Sequence, residues 1–349
     1  MLPPPHTAVL RDVARCRTAA MGGHLQVCLD CDHRRPAYNS CRNRHCPTCQ
    51  SSRQRDWIAQ RQARVLPTHH FHVVFTLPSE LRVLARFDPV NVYEALFAAA
   101  SRTLLQLGEQ RLGGQLGITM VLHTWTRDLR LHPHVHCVVT GGALGRGEVP
   151  RWQSARRRFL FPVRVMGELF RGKLMARLQR LRKAGRLRLP PELVEDGAWR
   201  KFRRELFVKR WVVYAKRPFG GPKQVFAYLG RYTHRVAISS ARLKRFDGER
   251  VVFRTRGDRV ADLSVDEFLR RFLLHVLPRG FRKIRHYGLL SPTGTVHRLE
   301  LARRCLTGDE GVDEPVDTDV SEAFGHVCPH CGGPVVRLLV SLPALLDSS

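Results

Sequence analysis

The chain has 349 residues, and 43% of them are hydrophobic, so it can bury an ordinary core in two domains or in one large domain with appendages. It carries 59 Lys and Arg residues against 30 Asp and Glu residues, and the net charge of +29 suits a polyanionic partner. We find no apolar run of bilayer length and no signal peptide, and therefore expect a cytoplasmic protein that binds nucleic acid rather than a membrane.

The first segment with a clear chemical signature is a cysteine-rich stretch at residues 24–49, which holds five of the ten cysteines. Clustered cysteines in a reducing cytoplasm hold metal more often than they form disulfides. Two Cys-x2-Cys pairs can bind one tetrahedral zinc ion, and four thiolates leave no open position, so we predict a structural site. The predicted ligands are Cys28, Cys31, Cys46 and Cys49.

Other cysteines and histidines could also take part in zinc binding. Cys41, His45 and His24 lie within or beside the segment, and they could replace one of the four ligands or help form a second site. A lone Cys-x2-Cys pair, Cys328 and Cys331, follows near the C-terminus, and its candidate partners are Cys305 and His330.

The stretch Leu131–Val139 is predicted to be a buried strand because it is rich in valine. Side chains alternate along a strand, so His134 and His136 point to the same face. Two imidazoles on one face form half of a metal site. His70 and His72 repeat the pattern on an earlier predicted strand, but nothing downstream depends on that pair, and we assign it no role.

The third metal ligand is expected from the neighbouring strand or from the turn that follows it. Residues 118–125 are predicted to pair antiparallel with the histidine strand across a polar turn at residues 126–130. Asp128 in this turn is the first choice, and His123 is the second. A turn aspartate also serves as a cap or as a solvated charge.

Two tyrosines, Tyr228 and Tyr232, stand four residues apart in the segment Gln224–Arg235. A helix here would place both hydroxyls on one face, about one turn apart. Tyrosines at this spacing also serve as half-buried packing residues, so the spacing alone leaves both interpretations open.

Together these segments resemble the HUH-type rolling-circle transposases of bacterial insertion sequences, the two-tyrosine class with an N-terminal zinc-binding domain. The resemblance rests on the cysteine segment at residues 23–49, on His132–His136 and on Tyr228–Ile238, and it covers roughly residues 20–292. The histidine motif precedes the tyrosines, as in replication initiators and transposases, whereas relaxases have the reverse order.

The resemblance implies an α+β fold, in which an antiparallel-sheet HUH endonuclease-like core carries helices and a small N-terminal zinc-binding domain precedes it. It implies a DNA transposase in which Tyr228 and Tyr232 cleave and rejoin single-stranded or melted DNA at element ends through a 5′-phosphotyrosine. A catalytic Mg²⁺ or Mn²⁺ would be held by His134, His136 and the third ligand, beside the structural Zn²⁺. The implied partner is DNA, and a homo-oligomer is left open.

We predict four segments along the chain: a zinc-binding DNA-recognition domain with a linking helix (1–65), an HUH nuclease/transposase domain (66–305), an acidic flexible linker (306–322) and a C-terminal Cys-x2-Cys tail (323–349). Two alternatives share these features. A non-catalytic zinc-dependent DNA-binding protein would have the same zinc and charge, and a rolling-circle replication initiator or relaxase-like nickase would have the same chemistry. Covalent attachment of the protein to DNA would distinguish the transposase from the first alternative. The DNA substrate would distinguish it from the second.

Overall fold

The computed structural model describes residues 2–49, 58–59, 64–216, 236–292, 295–308 and 328–342. These residues belong to two compact units, a smaller one from Met1–Ser52 and Gly311–Ser349 and a larger one from Arg53–Glu310. Most of the predicted linking helix at residues 50–65 and most of the acidic linker at 306–322 lie outside the described residues. Within the described ranges, no helix is long and apolar enough to cross a membrane.

The smaller unit is a three-stranded antiparallel sheet in the order β12-β1-β2, with one helix. Numbered along the chain, its elements are α1 (Pro4–Arg15), β1 (Gly23–Cys28), β2 (Arg34–Tyr38) and β12 (Val335–Leu342). The prediction of a separate C-terminal tail is wrong, because Val335 pairs with Cys28 and Leu342 pairs with Gly23. Pairing between the two ends of a chain leaves no local sequence pattern, so the sequence did not reveal it.

The larger unit contains a six-stranded antiparallel sheet in the order β11-β4-β5-β3-β7, with β6 also paired to β5. Its strands are β3 (His70–Thr76), β4 (Gly114–Trp125), β5 (Leu131–Gly145), β6 (Trp152–Ser154), β7 (Val213–Lys216) and β11 (Ile284–Gly288). A second sheet consists of β8 (Leu243–Phe246), β9 (Arg250–Arg254) and β10 (Val260–Ser264).

The helices of the larger unit complete an α+β fold, which confirms the predicted class. They are α2 (Leu81–Phe87), α3 (Pro89–Leu112), α4 (Val163–Lys183), α5 (Asp196–Val208), α6 (Val265–Leu273) and α7 (Thr295–Thr307). Asp88 begins α3 by accepting a hydrogen bond from the Asn91 amide, and Gly113 ends it in the left-handed conformation.

One face of the six-stranded sheet forms the hydrophobic core. Met120 of β4 and its partner Cys137 of β5 point to this face and are fully buried. Phe97 of α3 and Phe170 of α4 belong to the same core, and burying each phenyl ring stabilises the fold by about 2–3 kcal/mol. Because side chains alternate along a strand, the neighbouring positions on β4 and β5 point away from these helices.

The turn between β4 and β5 is held by a buried histidine that follows α6. Leu129 in this turn has a left-handed backbone with a φ of 63° and is buried. The Nε2–H of His275 donates to the Leu129 carbonyl oxygen at 3.0 Å, and its Nδ1 accepts from the Thr124 hydroxyl at 3.2 Å. His275 thereby fixes the hairpin that carries the central strands.

We predict that His275 makes the protein less stable in acid. Burial lowers the pKa of His275 from 6.5 to about 4, against a smaller opposing effect of its hydrogen bond to Leu129. Between these values the unfolded chain binds more protons than the folded chain, so the free energy of unfolding falls as pH decreases, by about 3 kcal/mol for the full shift. Denaturant titrations at several pH values should show a shallower pH dependence for His275→Gln than for the wild type.

The matched control for this measurement is His297→Gln, because His297 is exposed on α7. This variant should keep the wild-type pH dependence. If His275→Gln also keeps it, the buried imidazole is not a source of the acid sensitivity.

Candidate active site

Three histidines converge on the face of the six-stranded sheet that points away from α3 and α4. The register of the β4–β5 hairpin pairs His123 directly with His134, and His136 follows two residues later on the same face. One ring nitrogen of each residue lies within 4.8 Å of the others. The sheet therefore brings three imidazoles close enough together to share a metal ion.

His134 presents its Nε2 atom to this group. Its Nδ1–H donates to the His132 carbonyl oxygen at 2.6 Å, so the ring's lone pair is on Nε2. That atom lies 3.1 Å from Nε2 of His136. Two nitrogens bound at about 2.1 Å to one cation, at a right angle, lie about 3.0 Å apart, so the spacing fits a shared divalent ion.

Burial keeps these imidazoles neutral. It lowers the pKa of His134 to about 4. Burial and the neighbouring imidazoles also lower the pKa values of His123 and His136 well below the usual range. A metal ion binds the neutral imidazole, so near neutral pH it does not have to displace a proton. Histidine nitrogens suit Mn²⁺ better than Mg²⁺.

His72 of β3 is a fourth histidine on this face, and the sequence analysis gave it no role. Its Nε2 lies 2.7 Å from Nδ1 of His136, and the two ring planes are nearly parallel, with centroids 5.0 Å apart. When His136 offers Nε2 to a metal, its Nδ1–H donates to Nε2 of His72, and such an outer hydrogen bond orients the ligand. The repeated His-x-His pattern was the available sign, but only the pairing of β3 with β5 gives it meaning.

Asp128, the first choice for the third ligand, does not join the group, so that prediction is wrong. Its carboxylate accepts a hydrogen bond from the Thr126 hydroxyl at 2.5 Å and pairs with Nε of Arg130 at 2.6 Å. Asp128 is therefore committed to stabilising the turn. The strand register brings the second choice, His123, to the site instead.

The two tyrosines predicted to act as nucleophiles, Tyr228 and Tyr232, lie outside the described residues. Their catalytic role stays a prediction from the sequence.

The cysteines of the smaller unit form two groups of four, and this corrects the predicted grouping. Within each group the sulfur atoms lie within 4.8 Å of one another. One group is Cys16, Cys41, Cys46 and Cys49, and the other is Cys28, Cys31, Cys328 and Cys331. The predicted single site from Cys28, Cys31, Cys46 and Cys49 is wrong, because the first pair lies at the β1–β2 turn, where β12 brings the C-terminal pair beside it.

The group formed by Cys16, Cys41, Cys46 and Cys49 has the dimensions of a tetrathiolate zinc site. Sulfurs bound at about 2.3 Å to one tetrahedral ion lie about 3.8 Å apart. Sγ of Cys41 and Sγ of Cys49 are 3.7 Å apart. Cys16 follows α1 and has no other cysteine nearby in the sequence, so the spacing did not reveal it as a candidate ligand. Cys41 was one of the predicted alternatives, and it belongs to this group.

Four other predicted ligands have different contacts. Among the described residues, His24 and His45 belong to neither cysteine group, and Nδ1 of His45 lies 2.9 Å from Oδ1 of Asn43. Cys305 donates to the Pro150 carbonyl oxygen at 3.2 Å. The His330 ring stacks on His33 instead of joining a ligand group.

Family comparisons identify the class of protein that this fold and these sites define. Residues 117–297, more than half of the chain, match a family described as "Putative transposase", and residues 1–77 match a "Transposase zinc-binding domain". The first range includes His123, His134 and His136, and the second includes Cys16 and Cys49. The chain belongs to this family of insertion-sequence transposases with an N-terminal zinc-binding domain.

Two relatives match most of the chain. "Putative transposase y4qJ" of Sinorhizobium fredii is 44% identical over 327 residues, which cover 90% of this chain and 81% of the relative. "Transposase for insertion sequence element IS801" of Pseudomonas savastanoi pv. phaseolicola is 29% identical over 294 residues, covering 79% and 68%.

Solved structures of a conjugative relaxase, TrwC, in complex with oriT DNA show a weaker similarity. A metal-bound form is 13% identical, covers 47% of this chain and 70% of that chain, and has a TM-score of 0.26. A complex with a 27-mer DNA is 12% identical, covers 46% and 71%, and has a TM-score of 0.25. At these scores the folds superpose only loosely.

We predict that removing the His72 acceptor weakens divalent-metal binding by about 10–100-fold, the usual effect of losing an outer hydrogen bond to a metal ligand. Titration of Mn²⁺ into the His72→Leu variant, followed by electron paramagnetic resonance of free Mn²⁺, measures this loss. His72→Gln keeps an acceptor oxygen and should recover part of the affinity.

His70→Leu is the matched control, because His70 lies on the same strand and is equally buried but bonds to the Thr68 carbonyl at 2.9 Å. It should bind Mn²⁺ as the wild type does. Equal affinities for His72→Leu and the wild type would show that His72 does not orient a metal ligand.

Proposed function

We propose that this protein is a DNA transposase that cleaves and rejoins single-stranded DNA at the ends of a mobile element by metal-assisted tyrosine transesterification. The observation that carries the proposal is the convergence of His123, His134 and His136 on one face of two central strands. Membership in a transposase family supports DNA as the substrate, and the net charge of +29 favours binding to it.

The histidine group is suited to holding a catalytic Mn²⁺ or Mg²⁺. The ligands would be His123, His134 and His136, which are neutral and closely spaced. A divalent ion bound there would act as a Lewis acid on a phosphate oxygen and position the scissile phosphodiester. His72 orients His136 from the side opposite to the ligand atom. Lys216 acts electrostatically on His72 and adds positive charge for a DNA backbone.

The proposed nucleophile is the hydroxyl of Tyr228 or Tyr232. Its oxygen bonds to phosphorus while the bond from phosphorus to the 3′ oxygen breaks, and the tyrosine proton passes by way of solvent to the leaving oxygen. The products are a 5′-phosphotyrosine and a 3′ hydroxyl. The ester linkage is retained, so attack by a 3′ hydroxyl can rejoin a strand without a nucleotide cofactor, and the second tyrosine can accept a second strand.

The smaller unit has a basic groove that we assign to DNA recognition. It is a cavity of about 510 Å³, and Arg17, Arg35 and Arg42 are among its lining residues. Nε of Arg35 donates to Oε1 of Gln26 at 2.9 Å, which holds this guanidinium at the groove. Arginine donates two hydrogen bonds at once to phosphate, so the groove suits a nucleic-acid backbone at an element end.

We predict a covalent protein–DNA adduct that depends on both the histidines and the tyrosines. The protein is incubated with labelled single-stranded DNA carrying element ends and Mn²⁺, and the adduct is detected by denaturing gel electrophoresis. His123→Ala and the double variant His134→Ala/His136→Ala should abolish it, because the metal ligands are lost. At least one of Tyr228→Phe and Tyr232→Phe should abolish it, because phenylalanine has no nucleophilic oxygen.

Tyr93→Phe is the matched control, because Tyr93 is buried in the core on the opposite face of the sheet. It should form the adduct at the wild-type level. Wild-type adduct in His123→Ala would contradict the proposed metal centre. Tight binding without an adduct on any element end would favour the non-catalytic DNA-binding protein, and an adduct that forms on replication-origin or transfer-origin DNA but not on element ends would favour the nickase.

A further inference from the structure

The second cysteine group joins the two ends of the chain. Sγ of Cys28 lies 3.5 Å from Sγ of Cys331, and Sγ of Cys31 lies 3.8 Å from Sγ of Cys328. From this arrangement we propose a second structural zinc site, shared between the N-terminal and the C-terminal Cys-x2-Cys pairs. The matched zinc-binding family covers residues 1–77 and so contains only half of its ligands.

The two Cys-x2-Cys pairs have the same backbone turn. The Cys28 amide donates to the His33 carbonyl at 3.0 Å, and the Asp32 amide donates to the Cys28 carbonyl at 3.2 Å. In the C-terminal pair, the Cys328 amide donates to the Gly333 carbonyl at 2.8 Å, and the Gly332 amide donates to the Cys328 carbonyl at 2.9 Å.

The matching residue of each turn is left-handed. Asp32 has a φ of 53° and Gly332 a φ of 78°. Aspartate is one of the few residues with a side chain that tolerate this conformation, so both turns can adopt it. Two turns of one geometry therefore face each other with four sulfurs between them.

The turns also contact each other outside the sulfur group. The Leu29 amide donates to the Pro334 carbonyl at 3.0 Å. The Asp30 side chain lies against Gly333, and it would have to move if this position carried a Cβ. Strand β12 then continues along the whole of β1. The C-terminal pair is thus fixed by backbone pairing as well as by its thiols.

The dimensions and the donor set fit zinc. Both measured distances are close to the edge of about 3.8 Å expected for four thiolates around one ion. Four sulfurs leave no open position, so the site is structural. The ion would tie the C-terminal segment to the unit that carries the basic groove, and this unit would then fold only when both ends of the chain are present.

Zinc stoichiometry in cysteine variants tests the grouping. All measurements use the full chain with His134→Ala/His136→Ala, so that the histidine site does not contribute zinc. The parent should contain about two zinc ions per chain by mass spectrometry of the metal, one for each group of four thiolates. Cys31→Ser and Cys331→Ser should each lower the content to about one.

Paired variants show which cysteines share an ion. Cys31→Ser combined with Cys331→Ser should still leave about one zinc ion, because both residues serve the same site, whereas Cys41→Ser combined with Cys331→Ser should leave almost none. Cys305→Ser is the control and should keep about two. Full zinc content in Cys331→Ser would overturn the proposal. Loss of only one zinc ion when Cys31→Ser is combined with Cys46→Ser would also overturn it, because it would show that Cys31 and Cys46 share an ion.

A measurement on the chain with all cysteines intact tests the proposal even where the cysteine variants fail to fold. A protease site is inserted within residues 311–322 of the full chain and is cut after purification. The C-terminal fragment should stay bound in gel filtration and should dissociate when a chelator removes zinc. Release before chelation, or retention after complete loss of zinc, would contradict a metal link between the two ends.

Discussion

The register of the β4–β5 hairpin is the constraint on which the candidate active site depends. It places His123 opposite His134 on one face and Met120 opposite Cys137 on the other. A slip of one residue would move every side chain of a strand to the opposite face, burying the imidazoles in the core and exposing the apolar residues. Core packing and the histidine group are therefore two results of the same pairing. The loop between β4 and β5 sets this pairing, and His275 fixes the loop by its hydrogen bond to the Leu129 carbonyl.

Strand periodicity was enough to predict two of the three histidines in the group. Alternation alone places His134 and His136 on one face, and the structure agrees. The third member could not be read in the same way, because choosing between Asp128 and His123 requires the exact residue pairing across the turn. His72 was missed for a related reason: β3 is far from β5 in sequence but adjacent in the sheet, and no local pattern reports that neighbour.

The cysteines show the same limit of sequence reasoning. The Cys-x2-Cys spacing marks each turn that brings two cysteines together, since the turn is a local structure. Which two turns share an ion depends on topology, and here β12 returns from the C-terminus to lie beside β1. Cys16 lacked a close neighbour in the sequence and completes the other group from the end of α1. The local chemistry was therefore predictable, whereas the partners were set by long-range strand pairing.

We propose that three imidazoles from two paired strands form one metal centre. The most direct test is anomalous X-ray diffraction from crystals of the full chain grown with Mn²⁺. We expect a manganese peak bound to ring nitrogens of His123, His134 and His136, at about 2.1–2.3 Å, with Asp128 outside the coordination sphere. A peak at Asp128, or no peak at the histidines when manganese is in excess, would contradict it.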